Sequence, residues 1–250
     1  MAENQPLDKL RDMLKAKPTK ALWEALCEKL DDWKDLDELE DKIIPELEDD
    51  LGQWPMALRI TPEYWVERLL EGDYVPQISI SRVLDLRCRS LELEDAELLG
   101  ESPELKYIRH LNLAYNGLDD QGTRVLVQSE FISNLEILDL AGNSVGVHGV
   151  DAICKSEYLE SLRHLDLTGN WVDIQAANLL ASTESLPKLE VLVLRGNPLR
   201  TAGMKILADS EHLHDAIKCV WQEEIAQISS FGRDDHEDTV DLSLNNSEQE

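Results

Sequence analysis

Leu84, Leu111, Leu138, Leu165 and Leu192 follow one another at intervals of 27 residues. Equal intervals between copies of one residue type mark a chain built from stacked units, because each copy must present the same core residue in the same place. Aligned on these leucines, the chain reads VLDLRCRSLE, HLNLAYNGLD, ILDLAGNSVG, HLDLTGNWVD and VLVLRGNPLR. Leu111 with Leu113, and Leu138 with Leu140, stand two apart, so each pair leaves a short strand on one side and enters one core while the residue between faces outwards. Later in each unit Val125 and Leu126, Leu179 and Leu180, and Ile206 and Leu207 sit at helical spacing from Ile132, Leu186 and Leu213. A helix after each strand, and a parallel sheet, follow.

Asn116, Asn143, Asn170 and Asn197 recur where the chain leaves each strand, and a buried amide there can satisfy backbone groups that no ladder reaches. These four asparagines are expected to form a structural ladder; the first copy carries Arg89 instead. Ser102, Ser129, Ser156, Thr183 and Ser210 recur near the helix ends, where a hydroxyl can bond free backbone groups in a turn. Gly122, Gly149 and Gly203, with Ala176 in the remaining copy, fall where the helix begins and side-chain bulk is unwelcome.

The segments extend an LxxLxLxxNxL pattern, and from about Val83 to Trp221 the chain resembles the ribonuclease-inhibitor-like class of leucine-rich repeats, in the short variant common in bacterial proteins. The resemblance covers a little over half of the chain. It implies an α/β leucine-rich-repeat solenoid, with parallel strands on the concave side and helices on the convex side. It also implies a protein-binding role, since members of that class mostly bind proteins and differ in the surface residues they present.

A solenoid needs caps that cover its raw hydrophobic ends. Residues 1–60 read as a helical region, with apolar residues three and four apart in LDKLRDMLKA, KALWEALCEKL and DLDELEDKIIPELEDDL. Residues 61–82 read as a capping helix, with Thr61 as its N-cap and Pro62 in its first turn, burying Trp65, Val66, Leu69 and Leu70. The helical region could also be a second partner-binding unit. The solenoid is expected over 83–222, closed by a degenerate sixth strand at Cys219, Val220 and Trp221. Residues 223–250, with nine acidic residues against one arginine, read as a mobile acidic tail. Its patch TVDLSLNN echoes the strand pattern.

Charge excludes several functions. The net formal charge of −27 repels phosphate backbones and anionic lipid, so neither nucleic acid nor membrane is an expected partner. Cys27, Cys88, Cys154 and Cys219 are scattered without a CxxC, and the first ten residues lack a basic and apolar leader, which together suggest a cytoplasmic protein. His110, His148, His164, His212, His214 and His236 lie in no HExxH or Cys/His ligand spacing. No metal, no cofactor and no enzymatic activity are expected.

The outward strand positions are free of packing constraint and are where a partner can be encoded. One column reads Asp85, Asn112, Asp139, Asp166 and Val193; the next reads Arg87, Ala114, Ala141, Thr168 and Arg195. Asp139 and Asp166 should stand side by side about 5 Å apart, a like-charge pair of the kind that costs stability and so marks a candidate site. Tyr115 is expected to be the one exposed aromatic anchor beside this floor. Arg109 and Arg163, alternating with Glu136 and Glu190, border the other side and are placed to neutralise the aspartates. His110 and His164 occupy one repeat position two units apart, about 10 Å, too far to share a metal. An ordinary solvated charged face is the competing interpretation. The preferred function is an adaptor or scaffold whose concave face binds a basic or amphipathic segment of a protein. The alternative is a regulator of a small GTPase, from the resemblance to GTPase-activating members of the same repeat class with acidic C-terminal regions.

Overall fold

The computed structural model of the chain describes residues 5–214 and Ile217. The expected sixth strand at Cys219–Trp221 and the tail of residues 223–250 lie outside the described residues.

Helices α1 (Gln5–Leu14) and α2 (Lys20–Asp31) come first. The Thr19 hydroxyl caps α2 by accepting from the Leu22 amide. Next, α3 (Leu36–Glu38) runs through a π-helical turn, Leu39–Ile43, into α4 (Ile44–Leu51). Pro45 explains that turn: it has no N–H to give and its ring crowds the carbonyl four residues back, so the widened turn lets the helix continue, with the Ile44 amide on the Leu39 carbonyl five back. Trp23, Leu26, Leu30, Leu39, Leu47 and Leu51 fill the space between these helices.

Helix α5 (Glu63–Leu70) buries Trp65, Val66 and Leu69 as expected, while Leu70 is only partly covered. Its start differs from expectation. Pro62, not Thr61, is the N-cap residue and makes no side-chain cap bond; the Thr61 hydroxyl and amide both bond to the Val83 carbonyl instead. Ile60 thereby pairs with Val83 as a parallel bridge and covers the first edge of the sheet.

The repeats follow in order: β1 (Val83–Asp85), α6 (Leu93–Glu101), β2 (His110–Asn112), α7 (Asp119–Val127), β3 (Ile137–Asp139), α8 (Val147–Lys155), β4 (His164–Asp166), α9 (Ile174–Ser182), β5 (Val191–Val193) and α10 (Arg200–Ala208). The described strands form one parallel sheet in the order β1-β2-β3-β4-β5, with Leu84, Leu111, Leu138, Leu165 and Leu192 in register. Helices α6 to α10 stack in a second layer, each on the next. Packed helices need roughly 8–10 Å each and paired strands only about 4.8 Å, so the stack bends with the sheet on its concave side. The fold class is therefore an α/β leucine-type solenoid with helices before it, and no described helix is long and apolar enough to cross a membrane.

The N-terminal helices share a core with the first repeat. Arg59 is only 3% exposed and donates to the Ile80 and Leu51 carbonyls, while its guanidinium and that of Arg82 both meet the Glu48 carboxylate. Trp23 Nε1 donates to the Ile60 carbonyl and Trp65 Nε1 to Asp31. A buried arginine is costly unless fully paired, and here one acidic residue of α4 satisfies two arginines of the adjoining unit. Arg89, which replaces the ladder asparagine, pairs with Glu63 of α5.

The hydroxyl residues do more than close their own turns. Ser129, Ser156, Thr183 and Ser210 each donate to a carbonyl of the preceding unit, Gly100, Val127, Cys154 and Ala181 respectively. Each also accepts the amide two residues on. Ser102, at the start of the series, bonds within its own helix, to the Leu98 carbonyl.

Candidate functional site

The strands are three residues long, so the outward positions number few per unit and their columns are fixed by the register. His110, Ile137, His164 and Val191 form one column; Asp85, Asn112, Asp139, Asp166 and Val193 form the next. Asp139 is the direct partner of Asp166, and neighbouring strands lie about 4.8 Å apart.

These aspartates are not free side chains. Oδ1 of Asp85, Asn112, Asp139 and Asp166 each accepts the amide two residues on, from Arg87, Ala114, Ala141 and Thr168, at 3.3, 3.0, 2.9 and 2.8 Å. The chain turns off the ladder there, and the side chain supplies the acceptor that a longer strand would have offered. Either Asp or Asn can do this, which accounts for both in the column. Charge reversal at Asp139 or Asp166 would therefore also strip an amide of its acceptor, so the pair is tied to the backbone as well as to the face.

Burial pushes the Asp139 carboxyl above its usual range, and neighbouring Asp166 adds to the rise; the Ala141 amide and His110 and His164 oppose it. Burial lowers the His110 imidazole below its ordinary value, with His164 and Arg87 in the same sense and Asp139 and Asp85 against.

The basic residues of the face are mostly committed elsewhere. Arg87 pairs with Asp85 at 2.6 Å, Arg163 with Glu190, and Arg109 with Glu136 at 4.0 Å while also donating to the Asn134 carbonyl. The expected neutralisation of Asp139 and Asp166 by Arg109 and Arg163 is thus corrected: these arginines hold the glutamates of the next unit. Among the described residues no Lys or Arg pairs with Asp139 or Asp166, and exposed Arg195 has no ion pair either.

Beside the aspartates stand small residues: Ala114 and Ala141, 4% and 5% exposed, with Thr168 in the same column. Next to them Gly142, Gly169 and Gly196 hold φ of +65°, +65° and +71°, a conformation that strongly favours glycine. Tyr115 occupies the equivalent position with φ +57°, and its ring lies over Gly142, where a Cβ would come within 2.7 Å of Tyr115 Cδ1. Tyr115 is 63% exposed, but it is not alone: Trp171, on the rim at the strand exits, is 65% exposed and Tyr74 48%. The sequence offered one signal for Trp171, a tryptophan where the sister units carry Gly117, Ser144 and Pro198.

Behind the face the asparagines hold the turns. Asn143 Oδ1 accepts the Asn116 and Leu118 amides, and its Nδ2 donates to the Leu113 and Ala141 carbonyls. Asn170 does the same for the Asn143 and Val145 amides, Asn116 for those of Arg89 and Leu91, and Asn197 for that of Val172. Cys27 and Cys154 are buried and desolvation pushes their thiols up, the latter to about 12, which disfavours the thiolate.

A family model described as Leucine Rich repeat matches residues 104–127, 132–154 and 158–173. The comparison with curated proteins gave no match. The matched segments coincide with the central units of the sheet-and-helix stack, and they identify residues 104–173 as leucine-rich repeats within a leucine-rich-repeat solenoid.

Proposed function

We propose that this chain is a protein-binding adaptor or scaffold whose concave face holds a segment of a partner and seats a basic side chain against Asp139 and Asp166. Leucine-rich repeats generally mediate protein–protein interaction. One observation carries the finer assignment: two adjacent carboxylates, each with one oxygen tied to its own backbone, pair with no Lys or Arg among the described residues, while Asp85, Glu136 and Glu190 on the same face each pair with one. A basic side chain supplies what that pair lacks, and the small side chains of Ala114 and Ala141 beside it present no bulk to a partner's main chain. Asn112, His110, His164 and Tyr115 flank the seat, and Arg87, Arg109, Arg163 and Arg195 border it. The 27-residue period favours the ribonuclease-inhibitor-like class, and the scattered cysteines favour a reducing compartment such as the cytoplasm. The GTPase-regulator alternative gains no observation from the fold or the family match.

The test uses a partner recovered by affinity capture. Asp139→Asn with Asp166→Asn keeps the backbone bonds, as Asn112 does, and removes both charges. The affinity measured by calorimetry should fall by about 2–3 kcal/mol, roughly thirty- to 150-fold. The control is Asp151→Asn on the convex side, where, among the described residues, Asp151 pairs with Lys155 one turn along its own helix. Equal affinity of the double variant and the parent would remove the concave seat from consideration.

A further inference from the structure

Two neighbouring positions of the repeat carry different charges in different units, and the differences are complementary. In the first unit Asp85 and Arg87 form a pair, with Arg87 Nε and Nη2 both donating to Asp85 Oδ2 at 3.0 and 2.6 Å. Along the sheet the Asp85 position continues as Asn112, Asp139, Asp166 and Val193. The Arg87 position continues as Ala114, Ala141, Thr168 and Arg195, whose carbonyls accept from the amides of Cys88, Tyr115, Gly142 and Gly169 in turn. The third and fourth units thus keep the acid of the pair and lose the base, while the fifth keeps the base and loses the acid.

The separated halves do not satisfy one another. Oδ1 of Asp139 and of Asp166 is taken by a backbone amide, and among the described residues Oδ2 of each meets no Lys or Arg. Arg195 is exposed, and among the described residues its guanidinium makes no ion pair or hydrogen bond. It does not turn back on Asp166, its diagonal neighbour on β4, and half-buried Val193 stands where Arg87 has its carboxylate. The face therefore offers two carboxylates at β3 and β4 and a guanidinium at β5, each lacking the opposite charge that the first unit supplies internally.

Resting on the concave-face reading above, we propose that the partner segment is dipolar: its basic residue lies over β3 and β4, and an acidic residue beside it lies over β5 and is taken by Arg195. From midway between β3 and β4 to β5 is one and a half strand spacings, about 7 Å, and the two-residue step between the columns adds about 7 Å, so the charges stand about 10 Å apart. An extended segment covers that distance in about two to four residues, with both side chains on one side. Arg195 then sets specificity and direction together. A chain of net charge −27 attracts any polycation at long range, and a cation at the end of the face repels a segment that is basic throughout. A reversed segment would carry its acidic residue towards β1, where Arg87 is already held by Asp85.

The test selects short peptides from a fully randomised phage-displayed library on the full chain at physiological salt. The same selection is run on Arg195→Gln, on Arg195→Glu and on the Asp139→Asn, Asp166→Asn variant. Peptides taken by the parent chain should carry a basic residue and, about two to four positions to one side of it, an acidic one. On Arg195→Gln the acidic preference should vanish, and on Arg195→Glu a basic preference should replace it at that offset. With synthetic peptides, changing the acidic residue to its amide should weaken binding about three- to tenfold on the parent and less than about twofold on Arg195→Gln. Basic peptides without a fixed acidic position, or an acidic preference that Arg195→Gln retains, would overturn the proposal while leaving the aspartate seat standing. A selection with no basic preference, or one that the Asp139→Asn, Asp166→Asn variant matches, would remove the seat itself and the proposal with it. Circular dichroism checks that each variant is folded.

Discussion

Replacing Asn143 by alanine removes a side chain that is fully buried and serves four backbone groups at once. The four losses are unequal. The Leu113 carbonyl keeps the bond from Asn116 Nδ2, and the Ala141 carbonyl keeps the Tyr115 amide. The Asn116 and Leu118 amides keep nothing, since Asn143 Oδ1 is their acceptor. Two buried donors left without acceptors cost about 1–3 kcal/mol each, reduced if the space admits a water, so a net loss of about 3 kcal/mol is expected. For a domain of this size that corresponds to a melting point lower by roughly 6–12 °C. Asn197→Ala is the internal control: Asn197 is partly exposed and serves one amide, that of Val172, so its loss should be about 1 kcal/mol. Urea unfolding followed by circular dichroism, with coincident fluorescence transitions as a check on cooperativity, gives both values. A cost at Asn143 below about 0.5 kcal/mol, or one no larger than at Asn197, would refute the argument that orphaned amides set the penalty.

Gly149→Ala should destabilise by about 1–3 kcal/mol, because a Cβ there would stand 2.6 Å from Val145 Cγ1 and 2.8 Å from Asp120 Oδ1; Gly52→Ala, with nothing nearer than 3.5 Å, should be neutral in the same unfolding assay. His110 gives a pH dependence. Its folded pKa is lowered from the ordinary 6.5, so the unfolded chain takes up a proton first, and stability falls as the pH drops from the unfolded value through the lowered one. His110→Gln should flatten that part of the curve of denaturation midpoint against pH, and an unchanged slope would count against it. Asp139 acts in the opposite sense at lower pH: its raised folded pKa means that the penalty of holding the charge is relieved as pH falls towards 3.8.

The repeat was legible because its spacing fixes everything tied to the register: the parallel order of β1 to β5, the facing of Asp139 and Asp166, and the turn positions of Asn116 to Asn197 all follow from counting. What escaped were features decided by local geometry or by contacts across units. Thr61 has the residue type of a cap, but its hydroxyl meets the Val83 carbonyl, which only the docking of two distant segments could reveal. Asp139 and Asp166 have the residue type of surface charges, yet the shortness of the strand turns half of each carboxylate inwards to an amide. Asp120 in the first turn of α7 accepts the Gly146 and Gly149 amides of the next unit and so caps α8 from outside, a contact no local pattern signals. The neutralising role expected of Arg109 and Arg163 failed because their column partners are nearer than the aspartates.

Ser129, Ser156, Thr183 and Ser210 on one edge of the stack and the asparagines on the other form two parallel rails, each rung joining one unit to its predecessor. Hydrogen bonds at two separated edges resist sliding and splaying in a way that a greasy core, which is indifferent to direction, does not. Each unit is thus clamped to the next at two places, and under the proposed binding role the cost of ordering falls on the partner segment, since the residues that would receive it are already held by these rungs.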